Sequence, residues 1–210
     1  MTESQFVGSA SEFAFAPVAA AAKSQLPVVL HSGAMTRPAY SVGARLLHWI
    51  TAVLILLMIP LGSVIANDWG GPLQDWLYDL HRSIGAVLIP IVLLRLFVWW
   101  ASPPAELPHD IPPLQRHAAR VTHACIYVVL LVQPLVGWMA TSAFRAPISV
   151  FGLFELPPIC AENRAVSEQL FFAHAVLGAT LCALVAAHIA AALYHHFVRR
   201  DRVLMRMIAG

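Results

Sequence analysis

Apolar residues in this chain do not alternate with polar ones. They gather into four long runs, about 46–66, 83–100, 121–143 and 170–198, parted by short polar loops. A hydrocarbon layer about 30 Å thick takes roughly 20 helical residues to cross, so each run is about long enough to span. Backbone groups find no water there, which restricts spanning segments to helices or strands of a closed barrel. Barrel strands are short and alternate in polarity. These runs do neither, so the pattern predicts four transmembrane helices. Proline and glycine crowd the gaps at 67–72, 102–113 and 147–158. Pro60, Pro90 and Pro134 fall inside runs, where each removes a backbone donor and predicts a kink.

Residues 1–40 lack this pattern. They are rich in Ala and Ser, and the apolar patch at 13–22 is too short to span. It follows Glu3 and Glu12 rather than basic residues, unlike a signal peptide. The expected organisation is a flexible cytoplasmic tail over 1–40 and a four-helix transmembrane domain over 41–210.

Composition agrees. The chain is 59% hydrophobic and 11% charged, against about 25% charged in soluble domains. It reads as an all-α membrane protein. A net charge of +2 gives no argument for a nucleic-acid partner. Basic residues flank the first run (Lys23, Arg37, Arg45), fill the second loop (Arg116, Arg120) and follow the last run (Arg199, Arg200, Arg202, Arg206). In the other two loops Arg82, Arg145 and Arg164 are diluted by Asp68, Asp75, Asp79, Glu155, Glu162 and Glu168. Cytoplasmic loops carry the excess of Lys and Arg, so both termini are expected in the cytoplasm. Trp49, Trp69, Trp76, Trp99, Trp100 and Trp138 mostly lie near run ends, as an interfacial belt does. Cys125, Cys160 and Cys182 form no disulfide framework.

The chemistry lies in the histidines. His174 and His188 are fourteen residues apart in a segment without charge from Leu170 to Val198. Fourteen residues make nearly four turns, so both rings leave one helix face about 21 Å apart. Ligating groups inside a membrane are costly and mark function. By depth, His81 matches His174 toward the outside and His48 matches His188 toward the inside. Bis-imidazole ligation between helices holds a haem iron with no open position, which suits electron transfer. Zinc would need its ligands gathered tetrahedrally at one place. Without Cys-x-x-Cys-His the haem is b-type and non-covalent. Gly85 and Gly178, each four residues after a histidine, and the alanines around His188 are expected to make room for a porphyrin edge. Arg95 shares the face of His81, near the inner level, and suits a haem propionate. His123 has no partner at its level and reads as packing. His31, His109 and His117 read as solvated.

Several motifs resemble the bacterial cytochrome b561 family. They are Tyr40-Ser41 before Arg45-Leu46-Leu47-His48-Trp49, His81-Arg82-Ser83-Ile84-Gly85, Gln133-Pro134-Leu135-Val136-Gly137, and the helix of His174, His188, His195 and His196. The resemblance covers about 38–207 and implies a multi-pass protein of the inner (plasma) membrane with two haem b groups. It implies as axial ligands the same four histidines, His48, His81, His174 and His188. Some members of the family are superoxide oxidases, passing electrons from periplasmic superoxide to ubiquinone. The expected activity is therefore superoxide oxidation at the outer surface and ubiquinone reduction at the inner one. Arg82 and Arg164, with Arg145, would attract the anion, and His195, with its neighbour His196, would bond a quinone oxygen. The alternatives are a cytochrome b subunit exchanging electrons between the quinone pool and a periplasmic redox partner, or a haem-free transport or assembly protein. Nothing in the sequence favours the last.

Overall fold

The computed structural model describes residues 40–67, 69–103 and 111–209. Apart from Tyr40, the tail expected over 1–40 lies outside these residues, as do His31, Asp68 and His109. Four helices are long and apolar enough to cross a membrane: α1 (Val42–Ile65), α2 (Pro72–Ala101), α3 (Pro113–Phe144) and α4 (Arg164–Tyr194), the last extended by a π-helical turn at His195–Arg199. A short α5 (Met205–Ile208) follows. Between α3 and α4, β1 (Ile148–Val150) and β2 (Phe154–Leu156) form an antiparallel hairpin with Ser149 opposite Glu155. The chain is an all-α membrane bundle with this one small hairpin.

The helices outrun the apolar runs. α2 starts eleven residues before Ser83, and α3 eight before Val121. The extra turns hold Asp75, Asp79, Arg116 and Arg120, which end a hydrophobic run without ending a helix. Helix ends follow capping chemistry instead. Pro72 and Pro113 stand at first helical positions, where a missing N–H costs nothing. Ser41 accepts from the Ala44 N–H at 3.2 Å, and Asn163 from the Val166 N–H at 3.1 Å. Pro60, Pro90 and Pro134 are all accommodated inside continuing helices.

α1 packs along α2 and α3 along α4, whereas α1 and α4 approach each other far less. A buried cluster forms one layer of the core: Ile55 of α1, Val92 of α2, Val129 and Leu130 of α3, and Leu181 of α4. Leu181 stands midway between His174 and His188, so the layer separates the two histidine levels. Large side chains such as Leu56, Leu57, Phe97, Val128 and Phe172 stay on the outside, where lipid solvates them.

The hairpin end of the bundle is tied by side chains. Gln74 accepts from the backbone N–H groups of Trp69 and Gly70 and donates to the Asn67 carbonyl at 3.2 Å. Tyr78 donates to the Ile65 carbonyl at 2.9 Å. Ser83, buried on α2, donates to the Asp79 carbonyl at 2.7 Å and accepts from the Phe151 N–H at 2.9 Å. The hairpin turns through Phe151 and Gly152, with φ of 50° and 71°. Glycine takes that conformation freely and phenylalanine does not, so the Ser83 bond holds Phe151 in place. Three-residue strands among prolines leave too little alternation to be read from sequence, and the segment had been expected to be loop.

Replacing Ser83 by Ala strands the Phe151 N–H, at a cost of about 1–3 kcal/mol. The variant should show a lower thermal midpoint and faster protease cleavage within 148–156.

Candidate functional site

Two histidine clusters lie on either side of the apolar layer. At the hairpin end, His81 is nine residues into α2 and His174 ten into α4. Both helices start at this end and run the same way, which brings both rings to one level, with centres 6.0 Å apart and planes at 74°. At the C-terminal end, His48 of α1 and His188 of α4 have ring centres 6.3 Å apart. The depth-matched pairs expected from sequence are the pairs that meet.

Each pair has a spacing that suits a metal between two imidazoles. A metal–nitrogen bond of about 2 Å on each side, plus about 1 Å from nitrogen to ring centre, requires roughly 6 Å between centres. The helices bearing each pair are not the ones packed closely together. α4 packs mainly on α3 and only slightly on α1, so each pair joins helices that are not closely packed on one another.

The surroundings of His174 prepare it as a ligand. Its Nδ1 donates to the Gln133 carbonyl at 3.0 Å, and the Gln133 side-chain amide donates back to the His174 carbonyl at 3.0 Å. This reciprocal bond ties α3 to α4. It also fixes the proton on Nδ1 and leaves the Nε2 lone pair free, as when a metal-binding histidine donates its other ring N–H to a carbonyl. Gly137 completes the cradle, since a Cβ there would stand 3.0 Å from His174 Cε1. Gly62 does the same for His81, at 3.3 Å from its Cε1. The histidine donors thus fit a bis-imidazole haem.

Sequence reasoning chose other glycines. Gly85 faces the Met58 methyl and Gly178 the Gln133 amide. The glycines that touch the rings, Gly62 and Gly137, lie on neighbouring helices, where spacing from a histidine says nothing. Gln133 itself was quoted only as part of a motif.

The C-terminal-end site holds more than a pair. His123 of α3 lies with its ring centre 5.0 Å from that of His188, which corrects the expectation that it has no partner. It had been placed near the end of a span starting at 121. Because α3 starts at Pro113, His123 is ten residues in, and His188 is eleven from the end of the π turn at Arg199. The two levels match. At 5.0 Å the rings are too close for an in-line metal, so His123 stands beside the pair.

Arg95 donates to His48 Nδ1 at 2.7 Å and stacks over Tyr127 at 5.1 Å. No carboxylate pairs with it among the described residues, so a partly buried cation lacks a counter-anion there. The contact also puts the neutral ring's proton on Nε2, the nitrogen a metal needs. Ligation through Nε2 requires Arg95 to turn to another acceptor.

The remaining predicted residues are already paired. Arg82 bonds Asp79 at 3.4 Å and the Pro147 carbonyl at 3.2 Å. Arg164 bonds Glu168 at 3.2 Å, and Arg145 meets Glu162 at 3.4 Å. His195 Nδ1 meets Asp201 at 2.5 Å. Burial alone would raise the Asp201 carboxyl, but the hydrogen bonds from His195 and the Val203 N–H hold it below the usual carboxylate range.

Residues 39–210 match the family model described as prokaryotic cytochrome b561. The chain is 32% identical over 177 residues to cytochrome b561 homolog 2 of Escherichia coli (strain K12), an alignment covering 80% of this chain and 90% of the relative. It is 28% identical over 166 residues to homolog 1 of the same organism, covering 77% and 92%. It is 25% identical over 163 residues to a probable superoxide oxidase CybB of Yersinia pestis, covering 77% and 91%.

Gly137→Ala should displace the His174 ring at an overpacking cost of about 1–3 kcal/mol, read as a lower thermal midpoint. Gly85→Ala, where the nearest atom would be 3.8 Å away, should leave the midpoint unchanged.

Proposed function

This chain belongs to the prokaryotic cytochrome b561 family, a multi-pass membrane electron carrier whose family implies haem b, and from that footing we propose that it is a superoxide oxidase. It takes electrons from periplasmic superoxide and delivers them to ubiquinone at the cytoplasmic side of the inner membrane. Both termini lie in the cytoplasm, which makes the hairpin end periplasmic. His81 and His174 hold the outer haem b, and His48 and His188 the inner one. When bound there, haem would supply one-electron chemistry.

The single observation that carries this reading is the pair of ring-centre distances, 6.0 and 6.3 Å, on opposite sides of the apolar layer. Two ligand pairs at two depths support a route across the membrane rather than one catalytic pocket. The other residues take roles around them. Gln133 keeps the Nδ1 proton on His174. Arg95 leaves His48 Nδ1 for a propionate carboxylate, a stronger acceptor, and so frees the histidine to ligate. Arg82, next to His81, and Arg164 supply positive charge for an approaching anion, though their neighbouring acids cut the field. The likeness to the Yersinia pestis protein supports superoxide as the donor.

The purified protein should carry two haem b per chain by pyridine haemochrome, and a single haem would sink the two-site reading. His174→Ala should lose the outer haem and keep the inner one, with half the absorbance. Rapid mixing of the holoprotein with superoxide and ubiquinone should yield quinol without any protein partner. Quinol formation only when a redox partner is added would make it a carrier subunit instead.

A further inference from the structure

A buried imidazole–carboxylate pair beyond the inner site has no part in the scheme so far. His195 lies seven residues after His188, almost two turns, so both leave the same helix face about 10 Å apart along the axis. At His195 the helix widens into the π turn, a feature frequent at functional sites. Arg200 then reverses the chain in a left-handed conformation, φ 55°. The reversal returns Asp201 onto His195. One carboxylate oxygen sits 2.5 Å from His195 Nδ1 and 3.4 Å from Arg199 Nε, and the other accepts from the Val203 N–H at 3.0 Å. The two side chains are only 14% and 13% exposed.

The segment is anchored independently of that pair. The Asp201 N–H donates to the His195 carbonyl at 3.1 Å. Arg45 and Trp49 of α1 donate to the carbonyls of Ile208 and Met207 at 3.1 and 3.2 Å. A tail clamp would need no titratable pair, because backbone bonds and α1 already hold it.

We propose that Asp201 is a positioning residue that makes His195 the proton donor for quinone reduction at the cytoplasmic end. This rests on the reading of ubiquinone as acceptor. Forming quinol adds two electrons, which arrive singly from the donor, and two protons. For each proton delivered, the N–H bond at His195 Nε2 breaks, an O–H bond forms on a quinone oxygen, and cytoplasmic water reprotonates the ring. Asp201 stays ionised throughout. It keeps the other proton on Nδ1, so that Nε2 is the nitrogen that turns over. The other groups facing the pair are Arg199, Tyr194, whose ring is 5.9 Å from His195, and Gln115 of α3, which Arg199 reaches at 3.5 Å. Only Asp201 among them brings negative charge.

The test is stopped-flow reoxidation of the reduced holoprotein by a short-chain ubiquinone, in ordinary and in heavy water. Asp201→Asn removes the charge and leaves one acceptor oxygen in place of two. It should slow reoxidation about 10-fold and change the solvent isotope effect, with haem content unchanged, and Asp201→Glu should restore both. His195→Gln should slow the reaction about 100-fold. A wild-type rate and isotope effect in Asp201→Asn, or a wild-type rate in His195→Gln, overturns the proposal while leaving the quinone reading intact. Failure of the wild-type protein to be reoxidised by the quinone overturns both. An Asp201→Asn protein that does not assemble passes the decision to His195→Gln.

Discussion

An imidazole that leaves water must find a partner for each ring nitrogen, and that requirement organises this bundle. A buried polar atom without a partner costs more than a made bond returns. His174 meets the demand on one side through Gln133, which welds α3 to α4 and aims Nε2 away from both. His48 meets it through Arg95. His81 has a buried Nδ1 with no hydrogen-bond partner, which makes the hairpin-end level the less satisfied of the two. The glycines nearest the rings, Gly62 and Gly137, are on helices that would otherwise crowd them.

The two levels are not alike. The hairpin-end site is a plain pair beside a rigid hairpin. The opposite site gathers His48, His188, His123, Arg95 and Tyr127, with the His195–Asp201 pair further along the same helix face. One histidine level holds two rings, whereas the other gathers three with an arginine and a tyrosine. This asymmetry follows from side chains alone and is in keeping with the proposal that protons are consumed at that end.

Much of this was legible in the sequence. Long apolar runs have few structural solutions in lipid, so the four helices followed from run length. The meeting of His81 with His174 and of His48 with His188 followed from the fourteen-residue spacing in α4 and the antiparallel connection of neighbours, because these fix depth to within a turn. What escaped depended on helix ends and on contacts between helices. His123 was set at the wrong depth because a charged turn ends an apolar run but not a helix. Gly62, Gly137 and Gln133 act across an interface that no single-chain periodicity reveals. The hairpin rests on Ser83, a residue from another element, and its strands are too short to show alternation.

The thin layer of Ile55, Val92, Val129, Leu130 and Leu181 has an electrical consequence. These five hydrocarbon side chains carry no oxygen or nitrogen on which a proton could hop, yet an electron can tunnel through them. In the proposed orientation each turnover therefore moves negative charge inward without a compensating ion, against a cell interior that is already negative. Carrying one charge across the full membrane costs about 2.3 kcal/mol per 100 mV. A protein working in the proposed direction would feel the transmembrane voltage as a back-pressure on its own rate, and each turnover would add to that voltage.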